Sequence, residues 1–310
     1  MAETTSRHRI PVRMLSRRQE MLQRLPHPLA RAILDPGQTL LRVIGFIILL
    51  AGAFIVSVPF FWMLSTSLKP DRQVYAWPPV WMPSPLMWKN YPTALRYAPF
   101  ARYTFNTAVI TFFNIVGVTI SSSMVAFGFA RLRFPGRGLL FGIVLTTMML
   151  PQLVTLIPLF VIFARLKWIN TWLPLTVPLF FGSPLFIFLL RQFFMSLPPE
   201  YHDQAKIDGA SSWGVYWRIY LPLSTPALAT VVIFQFMFSW SDFVGPYLFI
   251  NDNQLKTLAV GLQVFLQQHT AEWQLLMAAS TMMIMPMIIL FFVAQKYFIQ
   301  GITTTGLAGR

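Results

Sequence analysis

The sequence predicts an all-α membrane protein with six transmembrane helices. Three observations lead there. Six stretches, 43–68, 103–130, 138–164, 168–190, 219–241 and 273–295, contain no Asp, Glu, Lys or Arg. The shortest is 23 residues long, and about 20 apolar residues carry a helix across a bilayer core. Only 11% of the 310 residues are charged, against roughly a quarter in soluble domains. The charges that remain gather between the runs, with 16 of the 24 Lys and Arg on one side if six spans are threaded. Basic residues stay cytoplasmic, so both termini are expected there.

The elements follow in order. Residues 1–40 are a basic cytoplasmic N-terminal extension, with Arg7, Arg9, Arg13, Arg17, Arg18, Arg24 and Arg31. Clustered basic residues beside a span favour anionic lipid, and a loosely ordered tail is the equal alternative. The first apolar run is too long for a signal peptide and no A-x-A site follows it. Span 1 covers 41–66. Residues 73–88 are also charge-free but hold Pro78, Pro79, Pro83 and Pro85, so they read as an external loop. Span 2 covers 103–130, span 3 138–163 and span 4 172–194. Pro151, Pro158, Pro174, Pro178 and Pro184 fall within the last two and predict kinked or broken helices. Gly138 and Gly142, four apart, would allow a neighbouring helix to approach closely. Span 5 covers 223–249 and span 6 273–298, joined by an external loop.

Spans 4 and 5 are separated by the most informative segment, EYHDQAKIDGASSWGVYWRIYLP at 200–222. Six spans can be joined by short turns, so a polar insert of 23 residues suggests a docking surface for a soluble partner. Pro198 and Pro199 precede a helix whose positive end suits Glu200 and Asp203. Gly209 supplies the left-handed stop. Ser211 or Ser212 then caps a second helix, on which Trp213, Trp217 and Tyr220 are spaced to form one packing face.

Several function classes are excluded or disfavoured. The net charge of +14 is positive-inside bias rather than a nucleic-acid footprint. There is no cysteine, which removes disulfides and thiolate chemistry. His8, His27, His202 and His269 are scattered and make no metal set. No clustered nucleophile and base suggests a membrane enzyme, and no G-x-x-x-x-G-K-[ST] loop could hold nucleotide phosphates. The charge-free runs also argue against a proton-coupled secondary transporter, which needs titratable groups at mid-depth.

Polar residues inside the spans are candidates for a translocation path. They are Asn106, Asn114, Ser121, Ser122 and Ser123 in span 2, and Gln235 and Ser239 in span 5 beside Phe234, Phe236, Phe238 and Trp240. Such groups bond a hydroxylated solute or bond across helices. Asp242 lies about twenty residues into span 5, at the external interface, which suits a gate or an interface contact.

The spacing D-Q-A-x3-G-x9-I-x-L-P, carried by Asp203, Gln204, Ala205, Gly209, Ile219, Leu221 and Pro222, resembles the EAA loop of bacterial binding-protein-dependent ABC importer permeases. FARLRFPGR (129–137), MMLPQLVTLIPLF (148–160), LLRQFFMSLPPE (189–200), SWSDFVGPYLF (239–249) and QKYFIQGITTTG (295–306) are similar to the carbohydrate branch, in particular its maltose-type second permease subunit. Asp203 stands where that family has Glu, Gln204 where it has Ala, Ser241 where it has Asn, and Ala308-Gly309-Arg310 alters its closing motif.

The resemblance implies a type I (MetI-like) permease fold over 41–310, with a coupling loop at 197–222. Glu200, Asp203, Gln204, Ala205, Asp208, Gly209, Ile219, Leu221 and Pro222 would couple to the ATPase. It implies a second permease subunit, two ATPase subunits that use ATP and Mg, and an extracytoplasmic solute-binding protein whose cleft the 250–272 loop would face. This chain would bind no cofactor itself and would sit in the bacterial inner membrane. The solute would be a sugar, with a polyol or glycerol phosphate as the alternative.

Overall fold

The computed structural model describes residues 36–266 and 271–307, so most of the basic extension, His269 and the last three residues lie outside the described part. All its regular elements are helical. They are α1 (Pro36–Ser67), α2 (Asp71–Val74), α3 (Asn90–Tyr97), α4 (Phe100–Arg131), α5 (Arg137–Thr147), α6 (Gln152–Arg165), α7 (Leu173–Thr176) and α8 (Pro184–Ser196). There follow α9 (Glu200–Ile207), α10 (Ser212–Val215), α11 (Leu221–Leu223), α12 (Thr225–Trp240), α13 (Val244–Phe249), α14 (Leu258–Gly261) and α15 (Trp273–Leu307). The chain divides into two units, Met1–Trp62 and Met63–Arg310. The first is the apolar α1 up to Trp62, its side chains mostly exposed. The second is a bundle in which α4 packs against α8 and α12, and α15 packs against α12 and α3.

Four stretches among the described residues are long and apolar enough to cross a membrane: Leu40–Ser67, Phe100–Arg131, Leu173–Ser196 and Trp273–Gln295. They correspond to expected spans 1, 2, 4 and 6. The other two expected spans are divided. Span 3 is two helices, α5 and α6, of 11 and 14 residues. The break falls at Pro151, extended at ψ 131°. Proline has no N–H for the ladder and drives the residue before it out of the helical region. Pro158, by contrast, stays inside α6. Span 5 is divided between α12, of 16 residues, and the short α13, and α12 meets the helical run Ser212–Leu223 at a bend of 77°. Taken together, that pair would be a fifth span.

Glycines permit the close approaches, though not the pair the sequence singles out. A Cβ on Gly138 or Gly142 would meet nothing within 4 Å. On Gly117, in α4, it would fall 2.6 Å from the Phe180 ring, and on Gly261 it would collide with the buried ring of Tyr103.

Two cores fill the bundle. One gathers Phe127, Phe186, Leu190, Phe194, Tyr216 and Tyr220 around the hairpin that follows α8. The other, at the opposite end of α4, gathers Phe100, Tyr103, Trp240, Phe265 and Leu275. There Asn106 clamps the 5–6 loop, its amide donating to the carbonyls of Gln254 and Lys256 at 2.9 Å each.

Candidate coupling hairpin and polar seam

The hairpin is built by local rules. Pro199 precedes α9, whose first turn holds Glu200 and Asp203, the carboxylates its dipole favours. Gly209 ends it at φ +78°. The Gly209 N–H donates to the Lys206 carbonyl at 3.1 Å and the Ala210 N–H to that of Ala205 at 2.9 Å, the paired closure of a Schellman motif. Of the two candidate serines, Ser211 is the cap, its Oγ accepting the Gly214 N–H at 3.1 Å. Lys206 Nζ donates to Ser212 Oγ at 3.0 Å and ties the two arms.

The face that packs differs from the expected one. Trp213 and Trp217 are more than half exposed, whereas Val215, Tyr216 and Tyr220 are buried. The reason is local: Tyr216–Tyr220 is a π-helical turn, whose i→i+5 bonds widen the helix and shift the register on which the expected face depends. Tyr216 and Tyr220 both lie on Phe127 of α4, with ring centroids at 5.4 and 5.0 Å. Ala205 is buried in the same core, with Ile219 and Leu221 against it. Glu200, Asp203, Gln204, Asp208 and Pro222 are exposed. Of the predicted coupling residues, the four polar ones face outward with Gly209 and Pro222, and Ala205, Ile219 and Leu221 face the core.

Three groups that the sequence reading left without a role in the hairpin hold it to the bundle. Arg131, at the end of α4, donates through Nη2 to the carbonyls of Phe194 at 2.7 Å and Leu197 at 2.5 Å. Its guanidinium also lies 5.2 Å from the centroid of the Tyr220 ring. Sequence reading counted it only as a positive-inside charge. Ser123 meets the Tyr216 hydroxyl at 2.7 Å in a buried contact. Beside them His202 is half-buried between Phe127 and Tyr220. Its own burial, then Lys206 and Arg131, hold the imidazole below its ordinary pKa against the smaller pull of Asp203, so it is neutral at pH 7.

The Ser123–Tyr216 contact has a measurable expectation. Tyr216→Phe should lower stability by about 0.6–1.5 kcal/mol, the range for one hydrogen bond in water or membrane. Ser123 would remain satisfied by the Ile120 carbonyl at 2.9 Å. A double-mutant cycle with Ser123→Ala, read from unfolding of the purified chain, should return most of that as coupling. A coupling of zero would remove the bond from the account.

The candidate path residues separate. Asn114, Gln235 and Ser239 come together as a seam between α4 and α12. Asn114 Nδ2 and Gln235 Nε2 both donate to Ser239 Oγ, at 3.0 and 2.7 Å. Asn114 and Gln235 are buried, and Asn114 Oδ1 has no hydrogen-bond partner among the described residues. Trp240 faces away, donating from Nε1 to the Met283 carbonyl of α15 at 2.9 Å. Asp242 lies beyond the end of α12 and accepts the Gly245 N–H at 3.3 Å. Ser121 and Ser122 serve packing, bonding to the Leu179 carbonyl at 3.2 Å and the Ser183 N–H at 3.0 Å.

Residues 117–304 match the family described as the inner membrane component of binding-protein-dependent transport systems. The chain belongs to that family. As such it is a multi-pass inner-membrane permease, a transport subunit rather than an enzyme, and it works within a multi-subunit complex. The permease is 32% identical over 257 residues to the arabinooligosaccharides transport system permease protein AraQ of Bacillus subtilis, covering 81% of this chain and 90% of that one. It is 30% identical over 270 residues to the sn-glycerol-3-phosphate transport system permease protein UgpE of Yersinia enterocolitica, covering 84% and 96%. Its fold is that of a chain in the crystal structure of a bacterial ABC transporter involved in the import of the acidic polysaccharide alginate. The TM-score there is 0.73 at 23% identity, over 84% of this chain and 97% of that one.

Proposed function

We propose that this permease is one of two in an ATP-driven importer of a sugar delivered by an extracytoplasmic solute-binding protein. The observation that carries the reading is the similarity, over most of both chains, to a permease for arabinooligosaccharides. The hairpin is the coupling element. Glu200, Asp203, Gln204 and Asp208 present α9 to a cytoplasmic ATPase, and Ala205, Gly209, Ile219, Leu221 and Pro222 shape and seat it. Both termini and the hairpin face the cytoplasm, in keeping with 16 of 24 basic residues on that side. ATP and Mg belong to two ATPase subunits, and this chain holds no cofactor.

The seam of Asn114, Gln235 and Ser239 is the part of the path this subunit contributes. The buried, unpartnered Asn114 amide oxygen suits a solute that donates hydroxyl hydrogens. Trp240 and Asp242 act at the far end of α12 as gate supports. A second reading, glycerol phosphate as solute, is favoured by the relative at 30% identity.

The test is an affinity pull-down of tagged chain from gently solubilised native membranes, with the co-purified proteins identified by mass spectrometry. An ATPase, a second permease and a solute-binding protein are expected. Thermal-shift screening of that binding protein against sugars and glycerol phosphate then separates the two readings. Recovery of the chain with no ATPase would overturn both.

A further inference from the structure

The second arm of the hairpin carries two large aromatic side chains that the fold leaves uncovered. Trp213 and Trp217 are 56% and 51% exposed. Their rings lie 6.4 Å apart, and each rests on the buried Tyr216 ring, at 5.5 and 5.2 Å. The result is one aromatic ledge with a rigid backing.

Two independent markers give the depth of this ledge. The first is the bond from Tyr216 to Ser123. Ser123 precedes the last residue of α4 by about 12 Å at 1.5 Å per residue. α4 has 32 residues and is about 48 Å long. A core of about 30 Å centred on it ends roughly 9 Å from each terminus. Ser123 therefore lies within a few ångströms of the core boundary, and Tyr216 with it. The second marker is α12. Its 16 residues span about 24 Å, so with its far end at the external boundary of a core of about 30 Å its bend falls within about 6 Å of the cytoplasmic one. The 77° bend then turns Ser212–Leu223 away from the axis of α12 and toward the membrane plane.

Charge distinguishes the two arms. Between Ser211 and Ser224 the one charged residue is Arg218, exposed and adjacent to Trp217. The α9 arm instead exposes Glu200, Asp203 and Asp208. Indoles concentrate at the headgroup level, and a basic side chain beside them favours anionic lipid.

We infer that Trp213 and Trp217 anchor the second arm of the hairpin in the headgroup zone of the adjoining leaflet, with Arg218 on anionic lipid. The bilayer surface holds this arm while α9 is left free for a soluble partner. The lipid contact stands on depth and chemistry alone; its consequence for transport rests on the coupling reading above.

Because the chain has no cysteine, spin labels can be placed singly. Trp213→Cys, Trp217→Cys and, on the 85%-exposed Ile207 of α9, Ile207→Cys are labelled in the co-purified complex with other subunits' thiols blocked. Arg218→Cys, at an exposed position, probes the same ledge if an indole replacement fails to assemble. Nanodiscs of phosphatidylethanolamine and phosphatidylglycerol supply the bilayer, and accessibility to oxygen is compared with that to a water-soluble nickel chelate. The oxygen-to-nickel ratio of the ledge labels should exceed that of Ile207 several-fold, with or without the ATPase, while Ile207 favours nickel until the ATPase shields it. Ledge labels with a ratio no higher than that of Ile207 without the ATPase would overturn the anchor, as would exclusion of both reagents, which means burial against a protein. An Ile207 label indifferent to the ATPase would instead undermine the coupling reading and leave the anchor standing. Joint Trp213→Ser and Trp217→Ser should lower substrate-stimulated ATP hydrolysis several-fold in nanodiscs and little in detergent. Equal loss in both would deny a role to lipid.

Discussion

Gly209→Val is expected to cut solute uptake about tenfold or more in a complex that still assembles, while Gly209→Asn keeps most of it. The argument is conformational. Gly209 sits at φ +78° with nothing within 4 Å of where a Cβ would point, so no collision contributes. An L-residue in this region costs roughly 1–2 kcal/mol, more for a β-branched one, and every 1.4 kcal/mol is about tenfold in population. Asparagine enters the region readily and should preserve both closing bonds, Gly209 to Lys206 and Ala210 to Ala205. Without them α9, eight residues long, loses its end and the carboxylates of Asp203 and Asp208 lose their fixed bearing. Uptake and ATP hydrolysis measured together separate the outcomes, since hydrolysis should persist where transport fails. Valine at wild-type uptake would show that the αL closure is dispensable for coupling.

The parts of this architecture that sequence alone revealed are those set by local rules. Charge-free length marks α1, α4, the Leu173–Ser196 run and α15, because lipid demands apolar length of any helix. Caps were equally legible: Pro199, Gly209 and Ser211 act on neighbours within a few residues. The division of span 3 was signalled by its prolines, but not which one breaks it. Pro151 stands just before the start of α6 and Pro158 rides inside it, a difference the residues themselves do not encode. The packing face of the second arm was misread because a π turn alters the period from which faces are inferred. Non-local partners left no trace at all. Asn114 and Ser239 are 125 residues apart, and the acceptors of Arg131 are 63 and 66 residues away.

Arg131→Ala is expected to destabilise the permease by about 3 kcal/mol or more and to abolish uptake. Hydrogen bonds from a charged donor contribute roughly 1.5–3 kcal/mol each, and Arg131 makes two, to carbonyls at and just past the end of α8 that the helix cannot itself satisfy. Its stacking on Tyr220 adds about 0.5–2 kcal/mol. One side chain therefore joins the end of α4, the end of α8 and the seat of the hairpin, and its loss frees all three. Arg131→Lys separates this role from a purely topological one. Lysine keeps the positive charge that orients the span but lacks the planar fork that bonds two carbonyls while stacking on a ring. The expected order of thermal unfolding midpoints, measured on purified chain in one detergent, is arginine, then lysine, then alanine, with lysine several degrees below arginine. A lysine variant matching the wild type in midpoint and uptake would reduce Arg131 to its charge. An alanine variant matching it would remove this residue from the account of how the hairpin is held.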